Sequence, residues 1–293
     1  MERGVEMKEQ EIKKAVRQGY ARVAKQGGSC CGPATPCCGG ADMAKDIGKA
    51  IGYSDEEMVM VPEGANLGLG CGNPVALASL KQGEVVLDLG AGGGFDCFLA
   101  AKRVGKNGKV IGVDMTPEMV DKARENARQG GYANVEFRLG EIENLPAADN
   151  SVDAVISNCV INLAPDKKRV FSEAYRILKP GGRLMISDLV LLKDLPQAIK
   201  DSIEAYVGCL SGAALRDDYL EAITAAGLRD VRVVEQTSFP VEFMANDETA
   251  KALMKDLQLT PDRLQDLASS VVSVKVEAVK PKKRARSTGK DKR

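Results

Sequence analysis

The chain has 293 residues, 44% of them apolar and 28% charged, the balance of a globular protein with one large domain or one domain and an appendage. It contains eight cysteines and no histidine, which excludes histidine acid–base catalysis, a Ser-His-Asp triad and most catalytic zinc sites. Net charge is zero but uneven: the last fourteen residues hold eight Lys or Arg and one Asp, a net of +7, leaving 33 basic and 40 acidic groups, −7, on the rest.

In chain order, the spacing predicts a helix over 7–24, then a Gly/Pro/Cys loop, "GGSCCGPATPCCGG", that cannot be regular structure. A short helix and a turn follow in "ADMAKDIGKAIGYSDEEM". From residue 84 strands and helices alternate. Strands are expected at 84–90, 109–114, 134–140, 151–158 and 183–190. The helix between the second and third has Thr116 as N-cap, Pro117 in its first turn and Gly130–Gly131 at its end. The helix before the fifth strand should stop at Pro180 and the glycines after it. Later come helices at 196–211 and 216–226, an inserted helical element at 240–268, and two strands, "VRVVEQ" and "VVSVKVEAVK", that finish the sheet. Alternation of this kind specifies an α/β fold, a doubly wound, mostly parallel seven-stranded sheet. The charged N-terminus lacks an apolar signal region, and no run nears the roughly 20 apolar residues of a membrane span. A cytoplasmic protein is expected, with its thiols reduced. The basic tail reads as a disordered, solubilising end, with no nucleic-acid partner expected.

A ligand of an open α/β sheet sits beyond the carboxyl ends of the strands. There stands "DLGAGGGFD", residues 88–96, whose Gly90, Ala91 and Gly92 form a tight loop. Asp114 and Met115 close the second strand, with Asp114 placed to take ribose hydroxyls. Dinucleotide enzymes use a similar loop, but here the third glycine position is Phe95, and Asp88 suits a cation better than a pyrophosphate. Those features favour S-adenosylmethionine. Gly140, Glu141 and Ile142 are expected to flank its adenine, and Asn158 to orient it.

"DLGAGGGFD", "VIGVDMTPEMVDKARENA", "LGEIENLP" and "YRILKPGGRLMISD" resemble the class I S-adenosylmethionine-dependent methyltransferases, a Rossmann-like fold. "NLGLGCGNP", "GFDCFLAA", "ISNCVINLAPDKKRVF" and "GCLSGA" narrow the resemblance to the arsenite methyltransferases, over nearly all of 62–280. The resemblance implies that Cys71, Cys159 and Cys209 hold arsenic(III), taken as arsenite or its thiol conjugates. Soft thiolates suit a soft trivalent centre. The three stand in separate parts of the chain, so only the fold can unite them. The resemblance also raises Cys30 and Cys31 as accessory ligands. It implies mono- and dimethylated products, hence arsenic detoxification, and a thiol reductant such as thioredoxin or a small thiol. Cys97, in an apolar helical run, reads as an inert hydrophobe.

This reading divides the chain into an N-terminal helical segment with a Cys-rich loop (1–61), a donor-binding core (62–192), a region completing the sheet and substrate site (193–280) and the basic tail (281–293). Three alternatives stand beside it. One is a methyltransferase of the same fold acting on a carbon, such as that of a quinone precursor; another is a non-enzymatic thiol trap for arsenic or metals; the third is a nucleic-acid methylase using the basic tail, against which the acidic body argues.

Overall fold

The computed structural model describes residues 2–26, 40–196, 212–238 and 269–282. The expected helices at 196–211 and 240–268, the basic tail and Cys30, Cys31, Cys37, Cys38 and Cys209 lie wholly or almost wholly outside the described residues.

Seven strands form one sheet: β1 (Val85–Leu89), β2 (Lys109–Asp114), β3 (Val135–Leu139), β4 (Val152–Asn158), β5 (Leu178–Leu191), β6 (Arg229–Ser238) and β7 (Val271–Val279). Their order is β3-β2-β1-β4-β5-β7-β6. The first five run parallel, and β7 pairs antiparallel with both β5 and β6. The chain thus builds outward from β1 through β2 and β3, then crosses to β4 and β5. The switch point lies between β1 and β4, where such sheets receive ligands.

Eight α-helices are described, α1 (Glu2–Gln26), α2 (Gly40–Ala50), α3 (Asp55–Val59), α4 (Pro74–Leu77), α5 (Phe95–Val104), α6 (Pro117–Gln129), α7 (Lys167–Ile177) and α8 (Arg216–Ala225), with a 3-10 turn at Ile161–Leu163. Period-two alternation along each strand sends side chains to two cores. Leu87, Leu89, Val155 and Ile186 pack with Phe171 and Ile177 of α7 and Tyr219 of α8. Val86, Val110, Ala154 and Ile156 pack on the other face, against Cys97 and Phe98 of α5 and Val120 of α6. The central strands β1, β2 and β4 are covered on both faces and are buried almost throughout, whereas β6, at the sheet edge, is mostly exposed.

Two local expectations are corrected. The turn "KPGG" does not separate α7 from β5; the strand begins at Leu178, directly after the helix, and its register against β4 shifts between Val152 and Ala154. Thr116 stands at the N-cap with the backbone expected there, but its side chain makes no cap hydrogen bond. At the C-terminal end of α7, Lys280 is buried and donates from Nζ to the carbonyls of Tyr175 and Leu178, both at 2.7 Å, and to Oδ1 of Asn150 at 2.8 Å. A cation at that pole satisfies the last carbonyls of the helix and complements its dipole.

Candidate active site

The strand ends of β1, β2 and β4 open into one cavity, walled by Asp88, Gly90, Ala91, Gly92, Asp96, Asp114, Met115, Ile142, Asn158 and Cys159. Gly90 turns the chain out of β1 with a φ of 67°. A Cβ there would stand 2.3 Å from Val160, so only glycine fits. Asp114 folds back over the loop: Oδ2 accepts from the amide of Gly92 at 3.0 Å and Oδ1 from that of Thr116 at 2.8 Å. Each carboxylate oxygen keeps a second lone pair for a ligand hydroxyl. Asp88 is buried and accepts from Sγ of Cys97 at 3.2 Å. Cys97 is therefore a hydrogen-bond donor to the pocket acid rather than an inert hydrophobe. From α1, Lys13, Val16 and Tyr20 supply a further part of the wall.

Beside this cavity lie two thiols and a carboxyl. Sγ of Cys71, Sγ of Cys159 and an oxygen of Asp188 all fall within 4.8 Å of one another, and all three residues are buried. Metal–thiolate bonds run to about 2.3 Å, so one soft atom can bridge the two sulfurs. Cys71 comes from the glycine-rich loop before α4; its carbonyl accepts from Oγ of Ser273 in β7 at 2.7 Å. Cys159 follows β4 directly, and its amide donates to the carbonyl of Ser187 at 2.8 Å. Asp188 is fully buried in β5: Oδ1 accepts from Nδ2 of Asn162 and the amide of Leu189, and Oδ2 from the hydroxyl of Tyr219, each at 2.9 Å.

Burial dominates the electrostatics. It lifts the Asp88 carboxyl well above the usual range, and the nearby Asp96 charge adds to the rise. It raises Asp96 to about 6 against hydrogen bonds from Tyr53 and Asn158 that work the other way. Asp114 is raised more mildly, since backbone amides favour its charged form. For Asp188 burial outweighs the Tyr219 hydroxyl and the Leu189 amide and brings the value to about 7. Asp88, Asp96 and Asp114 line the cavity, and a positively charged ligand there favours their ionised forms. The glycine loop, the ribose-placed Asp114 and these acids together fit S-adenosylmethionine.

Of the residues expected around the donor, eight line the cavity: Asp88, Gly90, Ala91, Gly92, Asp114, Met115, Ile142 and Asn158. Gly140 and Glu141 are not in its wall. Glu141 pairs instead with α1, with Nζ of Lys13 at 2.7 Å and with Arg17 at 3.5 Å. Glu143, two residues on, faces the cavity instead and meets Lys13 at 3.0 Å. The amide of Asn158 is turned toward the Cys71 loop (see below). Cys71 and Cys159 meet as expected. The sequence reading missed Tyr53, Asp96, Glu143, Asp188 and the wall from α1. Asp188 stands level with the end of β4, since Ser187 pairs with Asn158; an acid at a strand's carboxyl edge is the signal that singled out Asp88 and Asp114.

The profile of a methyltransferase-domain family matches residues 80–227. An arsenite methyltransferase from Halobacterium salinarum is 44% identical over 286 residues, covering 93% of this chain and 67% of that protein. The arsenite methyltransferase of Homo sapiens is 35% identical over 221 residues, 71% of this chain and 55% of that one. The chain thus spans about two thirds of the length of the first relative and about half of the second. A crystal structure of an arsenic(III) S-adenosylmethionine methyltransferase from Chlamydomonas reinhardtii superposes with a TM-score of 0.58 at 34% identity, covering 80% of this chain and 73% of that one. The seven-stranded sheet with its helices is the Rossmann-like fold of class I methyltransferases.

Proposed function

The chain belongs to the S-adenosylmethionine-dependent arsenite methyltransferases, and from that premise we propose that it methylates trivalent arsenic held by the thiolates of Cys71, Cys159 and Cys209. The observation that carries this reading is the meeting of the Cys71 and Cys159 sulfurs, within 4.8 Å, beside a cavity that Cys159 itself lines. Bound S-adenosylmethionine supplies a methyl group on a cationic sulfur. In this reading Asp114 accepts its ribose hydroxyls, and Asp88 and Asp96, which also line the cavity, balance its positive charge.

The thiols lose their protons as arsenic replaces them. Trivalent arsenic keeps a lone pair, which forms the new arsenic–carbon bond while the carbon–sulfur bond breaks. The nucleophile carries no proton, so no general base is needed and a chain without histidine suffices. The two cysteines hold arsenic against the cavity, and positioning of this kind is worth up to about 7–11 kcal/mol. Loss of the pair raises arsenic to the pentavalent state. Two thiolates return it to trivalent by becoming a disulfide, and thioredoxin or a small thiol then reduces that disulfide. Cys30 and Cys31 are accessory ligands in this scheme. Residues 62–192, with the wall from α1, hold the donor, and 193–280 complete the substrate site.

The decisive experiment incubates the protein with arsenite, methyl-labelled S-adenosylmethionine and a thiol, then separates the arsenicals. Label in mono- and dimethylated arsenic is expected. Its absence there, with donor binding intact, overturns the reading.

A further inference from the structure

Asn158 ends β4 between the donor cavity and the Cys71 loop. Its Oδ1 accepts from the backbone amide of Cys71 at 3.0 Å. Its Nδ2 faces three acceptors: the carbonyl of Gly72 at 2.8 Å, the hydroxyl oxygen of Tyr53 at 2.9 Å and Oδ2 of Asp96 at 3.0 Å. The Tyr53 hydroxyl has already committed its proton, donating to Oδ1 of Asp96 at 2.6 Å. Its oxygen is therefore left to accept. Three acceptors on one side and a donor on the other allow the amide one orientation. Turned over, it would set Oδ1 against three oxygens and NH₂ against the Cys71 amide.

The loop needs such an anchor. Residues 68–73 contain no helix or strand. Asn158 grips the amide of Cys71 and the carbonyl of Gly72, and Ser273 grips the carbonyl of Cys71. Cys159 has its own tether at Ser187. Asn158 and Ser273 together hold Cys71, and Tyr53 and Asp96 hold the amide of Asn158.

We propose that Asn158 is a positioning residue for Cys71, and that Tyr53 and Asp96 act through it by fixing the orientation of its amide. The same three residues adjoin the donor cavity, which Asp96 and Asn158 line, so one network sets the arsenic-binding loop relative to the methyl donor. This rests on the reading of Cys71 and Cys159 as arsenic ligands.

The test uses the full chain carrying C30S, C31S, C37S, C38S and C209S, which leaves Cys71, Cys97 and Cys159. The probe is phenylarsine oxide, a trivalent arsenical that bridges two thiols, titrated by calorimetry beside S-adenosylhomocysteine. N158A is expected to lose about tenfold in probe affinity and Y53F about threefold, each more than its loss of S-adenosylhomocysteine affinity. Probe affinity equal to the parent's, or a fall shared equally by both ligands as a general structural defect would give, overturns the inference. If N158A does not fold, Y53F, which loses only a hydroxyl, decides by the same criterion. A parent that fails to bind the probe sinks the assignment of Cys71 and Cys159, and this inference with it. A binding parent with unaltered variants sinks the inference alone.

Discussion

Cys71 and Cys159, distant in sequence, hold their sulfurs within 4.8 Å of each other while both are buried. The pair is assembled by the fold before any substrate arrives, so little ordering is left to be done on binding. Substituting either should therefore differ sharply from substituting Cys97. C71S and C159S are expected to lower methyl transfer to arsenite about a hundredfold or more, since a hydroxyl is a poor ligand for a soft centre. C97A removes the donor to Asp88 and should change donor affinity while leaving phenylarsine oxide affinity within about twofold. Separation of the labelled arsenicals and calorimetry read the two effects.

Gly72 follows the thiol in its loop. A Cβ there would stand 2.5 Å from Oγ and 2.7 Å from Cβ of Ser187. G72A must push the loop off β5, at about 1–3 kcal/mol of overpacking. The expected outcome is weakened arsenical binding with S-adenosylhomocysteine binding preserved, because Gly72 is not in the donor wall.

Asp188 makes stability depend on pH. Burial raises its carboxyl to about 7, whereas in the unfolded chain it ionises near about 4. Between those values the folded state binds more protons than the unfolded one. Its contribution is therefore fully present below about pH 4 and is lost as pH rises through about 7. Asp88, Asp96 and Asp114 shift the same way, so the comparison must isolate Asp188. Urea midpoints at about pH 5 and about pH 8 should fall further in the wild type than in D188N. Parallel falls would refute the assignment.

Lys280 offers a prediction remote from the chemistry. Its ammonium satisfies carbonyls at the end of α7. K280M leaves those buried acceptors unpaired and is expected to cost about 2–3 kcal/mol in urea unfolding, with donor affinity unchanged.

Much of this architecture is legible in the residues. β1 to β4 and the helices between them announce themselves through apolar runs, caps and glycine stops. Asp88 and Asp114 follow from the rule that acids at strand ends meet the ligand. The rest depends on partners that the sequence does not bring together. Tyr53 reaches Asp96 across 43 residues and Asn158 across 105. Glu141 and Glu143 are equivalent as letters; α1, from the far end of the chain, supplies Lys13 to both and Arg17 to Glu141, and only Glu143 faces the pocket. Asn158 ends β4, as its place in the sequence implies, but its amide serves the neighbouring loop, which only the packing of that loop reveals.

Cys159 adopts a φ of 56°, the left-handed region that side chains with a Cβ avoid. The chain bears about 1–2 kcal/mol of torsional strain there to keep sulfur where glycine would rest at ease. Serine, the usual stand-in for cysteine, retains that strain, whereas C159G relieves it. The glycine variant should melt at a higher temperature than the serine variant despite lacking a side chain altogether, an inversion of the ordinary ranking that comes from the turn rather than from anything the thiol binds.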